Sequence, residues 1–74
     1  MDAAAAGPIG LIVVDHGSRR AESNAMLEQM VEQVAATLPY DIVEPAHMEL
    51  AEPSIAAAFD ACVARGAATV VVSP

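Results

Sequence analysis

The chain has 74 residues, of which 55% are hydrophobic and 3% aromatic, and a formal net charge of −7. This length accommodates one small domain, and the apolar content excludes a disordered chain. The negative charge argues against binding to nucleic acid or to an anionic membrane, and no segment approaches the ~20 apolar residues of a membrane span. Because much of the apolar fraction is alanine, we expect a partner surface, either a second copy or further chain, to complete the core.

The single cysteine, Cys62, excludes an intrachain disulfide and a CxxC metal site. It falls within a predicted helix, where a small buried thiol is the usual role, and it fits a reducing compartment. The beginning of the chain carries an early acidic residue and lacks the basic region of a signal peptide. We therefore expect residues 1–8 to form a disordered leader and residues 9–74 to form the domain.

The first half of the domain contains a predicted strand and a predicted helix. An apolar run at residues 9–14 indicates a buried strand. A helix is predicted at about residues 23–38, with a polar side chain among residues 22–24 capping its start and Pro39 ending it. Apolar residues spaced by three and four predict one buried stripe. The stripe consists of Leu27, Met30, Val31, Val34 and Leu38, and Met26 is also expected to pack.

The second half repeats this alternation. A strand is predicted at about residues 41–47, and Pro45 makes it an edge strand because proline donates no ladder hydrogen bond. Residues 52–54 are predicted to begin a second helix. Gly66 is predicted to end this helix by adopting the left-handed conformation. The predicted buried face of this helix consists of Ile55, Phe59, Cys62 and Val63. The β-prone run at residues 68–73 predicts a third strand.

The order of these elements predicts an α/β fold. With right-handed crossovers, the strands form a three-stranded parallel sheet in the order 2-1-3, with helices on its faces. The third strand then has an exposed apolar edge, which a natural domain normally covers. We therefore expect the chain to be the N-terminal part of a larger α/β domain.

A polar cluster at residues 15–20 follows the first strand directly. In an open α/β sheet, ligands bind at the carboxyl ends of the strands. His16 can ligate a metal ion or transfer a proton near neutral pH, and Gly17 permits a sharp turn or a close approach to a ligand. Arg19 and Arg20 can hold carboxylates or phosphates in bidentate fashion. The alternative is a solvated arginine pair that only aids solubility.

A second group of polar residues follows the second strand. If that strand continued, Glu49 and His47 would share one side of it and lie near His16. Glu49 is the candidate functional residue of this group. His47 is expected to be a satisfied structural histidine, and Glu44 and Glu52 are expected to be solvated or to cap the next helix.

Together these motifs resemble the sirohydrochlorin chelatases of the CbiX/SirB type. The matching segments are residues 13–20, 22–24, 43–55 and 70–74, so the resemblance spans nearly everything from residue 9 onward. The segment H-G-S alone would be weak, but H-G-S-R followed by E-L-A-E-P-S at this separation is specific. The amino-acid sequences of both motifs are most similar to those of the plant plastid branch, the siroheme ferrochelatases.

The resemblance implies the chelatase α/β fold and insertion of a divalent metal, Fe²⁺ in plant-type members, into sirohydrochlorin. His16 matches the metal-site histidine of the family and Glu49 matches a family acid, so both are candidate metal ligands and catalytic residues. Ser18, Arg19 and Arg20 are candidate contacts for the substrate carboxylates. The resemblance also implies a homodimer, and a location in the plastid stroma despite the absence of a transit peptide from this chain, with the cytoplasm as the alternative.

Two family features have no counterpart in this sequence. A second metal-site histidine, in a Gly-Arg-His segment after the third strand, would lie beyond the last residue, and the C-terminal cysteines of plant-type relatives are absent, so no iron–sulfur cluster is assigned. The expected function is therefore that of a truncated sirohydrochlorin ferrochelatase. The alternatives are a non-catalytic fragment that binds metal or tetrapyrrole, and a cobaltochelatase that uses Co²⁺ in cobalamin biosynthesis.

Phosphoryl chemistry is the weakest candidate. Histidine phosphatases also place a histidine and a glycine after their first strand, but they require an arginine immediately before that histidine. Here the position is Asp15, whose charge would repel a phosphoryl group. The sequence also lacks the glycine-rich motifs G-x-x-x-x-G-K-S/T and G-x-G-x-x-G, which cradle phosphates.

Overall fold

The computed structural model describes residues 7–74, so most of the predicted leader at residues 1–8 lies outside the described residues. The elements are β1 (Ile9–Asp15), α1 (Ala21–Ala35), β2 (Ile42–His47), α2 (Ile55–Ala64) and β3 (Thr69–Ser73). The three strands are parallel and lie in the order β2-β1-β3, which confirms the predicted α/β fold and sheet order. No helix within the described residues is long and apolar enough to cross a membrane.

The two faces of the sheet are built differently. One face and α2 enclose an apolar core, made of Ile12, Val14, Ile42, Ala46, Ala58 and Cys62. Because side chains alternate along a strand, Asp15 and His47 lie on the opposite face. That is the face of α1, whose Glu28 Oε2 lies 3.6 Å from His47 Nε2. The face toward α1 therefore becomes polar at the carboxyl ends of β1 and β2.

The boundaries of α1 differ from the prediction. The helix begins two residues earlier than expected and ends three residues earlier. Arg20 is the residue at its N-cap and makes no side-chain cap hydrogen bond. Asn24, one of the expected capping residues, instead holds Ser18: its Oδ1 accepts from the Ser18 N–H at 3.0 Å, and its Nδ2 donates to the Ser18 carbonyl at 2.8 Å. The predicted cap was therefore wrong, because this side chain ties down the preceding loop.

The predicted buried stripe of α1 is only partly correct. Leu27 and Val31 are buried, but Met30 is exposed and Met26 retains 69% of its accessible surface. The packing role expected for both methionines was therefore wrong. A single sheet face can cover only a narrow stripe of a helix, and these two methionines fall outside it.

The predicted buried face of α2 also needs correction. Cys62 is fully buried as predicted, but Ile55, Phe59 and Val63 are exposed, and the other fully buried residue of the helix is Ala58. The reason is a close approach between α2 and β1. A Cβ atom added at Gly10 would lie 3.1 Å from Cys62 Sγ, so the helix packs through its small side chains and its bulky ones face outward.

The ends of the sheet agree with the predictions. Within the described residues β2 pairs only with β1, so Pro45 lies on an edge strand as expected. The opposite edge is β3, where Val71 and Val72 are exposed. Gly66 follows the C-cap of α2 with a φ of 100°, which confirms its predicted left-handed role.

Candidate functional site

The site lies where β1 and β2 end. The register pairs Asp15 with His47, the last residue of each strand. Backbone hydrogen bonds continue beyond the strands: the Met48 N–H donates to the Asp15 carbonyl at 2.9 Å, and the Glu49 N–H donates to the His16 carbonyl at 3.2 Å. The two candidate metal ligands, His16 and Glu49, are thus neighbours through their backbones, and both residues are exposed.

Gly17 allows the two loops to come this close. Its φ is 89°, and a Cβ atom at this position would lie 1.8 Å from the Glu49 carbonyl oxygen. No side chain fits there without moving one of the loops, so this position requires glycine for both conformation and space. The close approach fixes the separation between the backbones that carry His16 and Glu49.

Asp15 connects three parts of the site. Its Oδ1 lies 2.6 Å from Nδ1 of the fully buried His47 and accepts a hydrogen bond from the Gly17 N–H at 2.9 Å. His47 was expected to be a satisfied structural histidine, and this holds for Nδ1 only, because the buried Nε2 has no hydrogen-bond partner. Asp15 was not predicted as a residue of the site. The available signal was its position as the last residue of a strand, opposite the last residue of the neighbouring strand.

The three candidate substrate contacts differ in how they are held. Ser18 is fixed in the turn, where its Oγ accepts from the Arg20 N–H at 3.0 Å. Arg19 and Arg20 are exposed, and no ion pair involving either is found within residues 7–74. By contrast, Arg65 bonds Glu44 Oε2 at 2.5 Å. Two guanidinium groups are therefore open to solvent in the loop that follows His16.

Glu44 and Glu52, the other two glutamates near the site in sequence, make different contacts. Glu44 was expected to be solvated or to cap the next helix, but it pairs with Arg65. Because side chains alternate along β2, Glu44 lies on the face of the sheet opposite His47. Glu52 Oε1 accepts from the Ser54 N–H at 3.2 Å, next to the start of α2, as expected for a residue that supports a helix cap. Ser54 itself caps the helix, since its Oγ accepts from the Ala57 N–H.

A surface pocket of about 450 Å³ opens beside these residues. It is lined by His47, Met48, Glu49, Leu50, Ala51, Glu52 and Ser54. The condition for Glu49 and His47 to share one side of the strand is not met: β2 ends at His47, and Leu50 turns the chain with a left-handed φ of 70°. Glu49 and His47 nevertheless line one pocket.

The site is sparse in metal ligands. Within the described part of the chain, no three or more His, Cys, Asp or Glu side chains are grouped so that they could hold a metal ion. His16 and Glu49 could at most contribute two ligands, one imidazole nitrogen and one carboxylate. Such a site would leave most coordination positions of an ion open to a substrate or to water.

Comparison with known proteins identifies the family. The family model described as CbiX matches residues 10–74. The chain belongs to the CbiX family. This match covers both polar loops of the site, and it confirms the resemblance seen in the sequence motifs.

Individual CbiX-family relatives carry more specific names. The chain is 65% identical over 65 residues to "Sirohydrochlorin ferrochelatase, chloroplastic" of Arabidopsis thaliana, a match that covers 88% of this chain and 29% of the relative. It is 38% identical over 64 residues to a sirohydrochlorin cobaltochelatase of Methanococcus maripaludis, covering 86% of this chain and 44% of the relative. The chain thus spans less than half the length of these two relatives.

A solved structure has the same fold. SirB from Bacillus subtilis with Fe³⁺ superposes with a TM-score of 0.80 at 31% sequence identity. The superposition covers 88% of this chain and 26% of SirB. The architecture of this chain is therefore that of a chelatase-type α/β domain over the matched region.

Proposed function

We propose that this chain carries the chemistry of a sirohydrochlorin ferrochelatase, which inserts Fe²⁺ into sirohydrochlorin to form siroheme. One observation carries the proposal: exposed His16 and exposed Glu49 lie side by side at the carboxyl ends of β1 and β2. The 65% identity to a protein named as a chloroplastic sirohydrochlorin ferrochelatase supports it and covers both residues.

Metal insertion requires a site that holds a divalent ion weakly enough to release it. An imidazole and a carboxylate suit a borderline ion such as Fe²⁺ or Co²⁺, and a sparse, open site favours release over retention. In the proposed reaction, His16 and Glu49 bind the incoming ion. As the ion passes to the macrocycle, two pyrrole N–H protons leave; His16 accepts one of them and Glu49 relays protons toward solvent.

The second requirement is a grip on a macrocycle with eight carboxylates. Arg19 and Arg20 can each bind a carboxylate in bidentate fashion, and the Ser18 hydroxyl can donate one hydrogen bond. These groups directly precede α1, whose amino end carries partial positive charge. This local attraction would have to outweigh the repulsion between the substrate and a chain with a net charge of −7.

A cobaltochelatase is the second candidate function, favoured by the 38% identity to the Methanococcus maripaludis protein. Binding of metal or tetrapyrrole without turnover is the non-catalytic alternative. We further propose a homodimer, supported by the exposed apolar edge at β3. A plastid location is supported by the name of the Arabidopsis relative.

The test is anaerobic conversion of sirohydrochlorin to its metal complex, followed by absorbance with Fe²⁺ or Co²⁺. His16→Ala should reduce the rate by roughly 10²-fold or more, to the spontaneous level, because it removes both a ligand and a proton acceptor. Its free energy of unfolding should be unchanged, because His16 is exposed. Met26→Ala is the matched control, since Met26 is also exposed but lies on α1.

The outcomes separate the candidate functions. A wild-type rate above the spontaneous rate that is lost in His16→Ala supports a chelatase, and the ratio of kcat/KM for Fe²⁺ and Co²⁺ identifies the preferred metal. A wild-type rate equal to the spontaneous rate contradicts catalysis by this chain. Equilibrium dialysis with Co²⁺ and with sirohydrochlorin would then test the non-catalytic alternative.

A further inference from the structure

A hydrogen-bonded pair, of which His47 is fully buried and Asp15 is partly exposed, lies next to the candidate site, and the proposed reaction does not use it. His47 is fully buried and its Nδ1 is 2.6 Å from Oδ1 of Asp15, a residue 32 positions away in the chain. An ionised carboxylate can only accept hydrogen bonds, so Nδ1 is the donor. A short, charge-assisted hydrogen bond of this kind is about twice as strong as one between neutral groups.

The same carboxylate oxygen shapes the turn that carries His16. Asp15 Oδ1 accepts from the N–H of Gly17, two residues later in the chain, an arrangement that bends the backbone around the residue in between. His16 is that residue. Its two neighbours are therefore both held, Asp15 by His47 and Gly17 by Asp15, while its own side chain faces solvent.

Packing alone does not account for a histidine at position 47. On the opposite face of the sheet, neighbouring strand positions at the same level are filled by Val14 and Ala46, both buried and apolar. A buried imidazole is costly unless its polar atoms are paired, and Nε2 is not. Glu28 Oε2 is 3.6 Å from Nε2, too far for a hydrogen bond. The contact with Asp15 is thus the one hydrogen bond that the buried ring makes within the described residues.

We propose that Asp15 and His47 are positioning residues that fix the β1–α1 turn and thereby hold His16 next to Glu49. His47 anchors the carboxylate from β2, the carboxylate anchors the Gly17 amide, and the anchored turn presents His16. The consequence for catalysis rests on the proposed chelatase function, whereas the consequence for the turn does not. In this role neither residue binds the metal ion or the substrate directly.

Two variants of His47 separate this role from general packing. In His47→Asn the side-chain amide nitrogen is as many bonds from Cα as Nδ1, so it can still donate to Asp15. In His47→Gln the amide nitrogen takes the place of Nε2 and points away from Asp15. Both variants introduce an amide into the same buried position, and they differ in which donor they preserve.

The first measurement is hydrogen exchange of the Gly17 amide in the full chain, followed by NMR, and it does not depend on activity. The proposal predicts a protected Gly17 amide in the wild type and in His47→Asn, and at least a 10-fold loss of protection in His47→Gln. An unprotected Gly17 amide in the wild type would overturn the proposal without any variant. Equal protection in the two variants would overturn it as well.

The second measurement is the rate of metal insertion at saturating sirohydrochlorin. We expect His47→Gln to lower kcat about 10-fold with little change in the KM for sirohydrochlorin, and His47→Asn to restore most of the loss. Ile42→Val, a buried change on the opposite face, controls for lost stability and should leave kcat unchanged. Equal losses of kcat in both His47 variants would contradict a positioning role.

The two arms distinguish failure of this inference from failure of the proposed function. If the wild type does not catalyse metal insertion, but the Gly17 amide is protected in the wild type and in His47→Asn and loses protection in His47→Gln, the proposed function is wrong and the positioning of the turn stands. If the wild type catalyses metal insertion, but both His47 variants keep the full kcat and full protection of the Gly17 amide, the proposed function stands and the positioning role is wrong.

Discussion

The two ends of the parallel sheet show different ways of connecting strands and helices. At the carboxyl edge, which we define as residues 15–20 and 47–54, side chains hold the loops: Asp15 binds a buried histidine and an amide, and Ser54 caps α2. At the amino edge, defined as residues 36–41 and 65–68, the turns rely mainly on backbone hydrogen bonds, such as Ala67 N–H to the Cys62 carbonyl.

This difference matches the demands on each edge. A backbone turn only has to reverse the chain, and many sequences do so. A loop that presents a metal ligand has to fix one side chain relative to another, which requires bonds between residues distant in the chain. The carboxyl edge contains such bonds, and they lie beside the candidate site.

The largest expected difference between the edges is in the space around their glycines. Gly17 at the carboxyl edge and Gly66 at the amino edge both have positive φ, but a Cβ at Gly17 would lie 1.8 Å from a carbonyl oxygen, and a Cβ at Gly66 would meet nothing within 4 Å. Gly66→Ala should lower the free energy of unfolding by about 1–2 kcal/mol, the cost of the left-handed conformation. Gly17→Ala should lower it by roughly 3–5 kcal/mol, because overpacking adds to that cost.

Urea unfolding of the two glycine variants, followed by circular dichroism, measures both effects. A domain of this size is stable by only about 5 kcal/mol, so Gly17→Ala should be largely unfolded at low urea. Equal losses in the two variants would show that the loops separate easily, and the contrast between the edges would then be wrong.

A smaller difference is expected for two hydroxyl groups that bond the ends of helices. Ser54 Oγ accepts from the Ala57 N–H at the carboxyl edge, and the Thr37 hydroxyl donates to the Val34 carbonyl near the amino edge. Ser54→Ala should lower the free energy of unfolding by about 1 kcal/mol, because it leaves an N-terminal amide without its cap. Thr37→Val should change it by at most a few tenths of a kcal/mol, because this hydrogen bond is exposed and the Val34 carbonyl still accepts from the Thr37 N–H.

Urea unfolding at one pH is again the measurement for this pair. The two variants remove a single hydroxyl each, so they are matched in the chemistry that they change. A larger loss for Thr37→Val than for Ser54→Ala would contradict the view that side chains matter more at the carboxyl edge.

The smallest expected effect is the pH dependence of stability that comes from the Cys62 thiol, which is buried near the amino end of β1. Burial raises the pKa of the Cys62 thiol above its ordinary value of 9.0; the Glu44 carboxylate raises it further and the Arg65 guanidinium opposes the shift. The unfolded chain therefore releases this proton at a lower pH than the folded chain. The free energy of unfolding should therefore fall as the pH rises through about 9, because deprotonation favours the unfolded state.

Unfolding of the wild type and of Cys62→Ala at pH 7.5 and pH 10 isolates this contribution. The variant should lose less stability over this interval, since it has no thiol to titrate. The wild-type thiol should also react slowly with an alkylating reagent until urea is added, because Cys62 is fully buried. Identical pH dependence in the two proteins would show that the thiol does not contribute.

The spacing of apolar residues did not predict the buried face of a helix where that face depends on the surface of a neighbouring element. In α2 nearly every position is apolar or alanine, so the sequence offered several possible buried faces, and the face with Phe59 and Val63 was the wrong choice. The choice was made by Gly10 on another element, which lets Ala58 and Cys62 approach β1 closely. The sequence of α2 does not contain this information.

The position of the site was easier to predict than its internal bonds. A polar segment that directly follows a buried strand must lie at the carboxyl edge of a parallel sheet, and this placed His16 and Glu49 at the same edge. The pair of Asp15 and His47 was not predicted, because it depends on the register between two strands, and register follows from packing across the whole sheet.

The sequence by itself determined the order of the five elements, the parallel sheet in the order 2-1-3 and the left-handed turn at Gly66. These features follow from local patterns: apolar runs, helical spacing and the conformations open to glycine and proline. The tertiary structure alone decided which faces of the helices are buried, that Gly17 lies against the Glu49 carbonyl, and that His47 holds Asp15. Those features join residues far apart in the chain, so their energies depend on surfaces that exist only after the chain has folded.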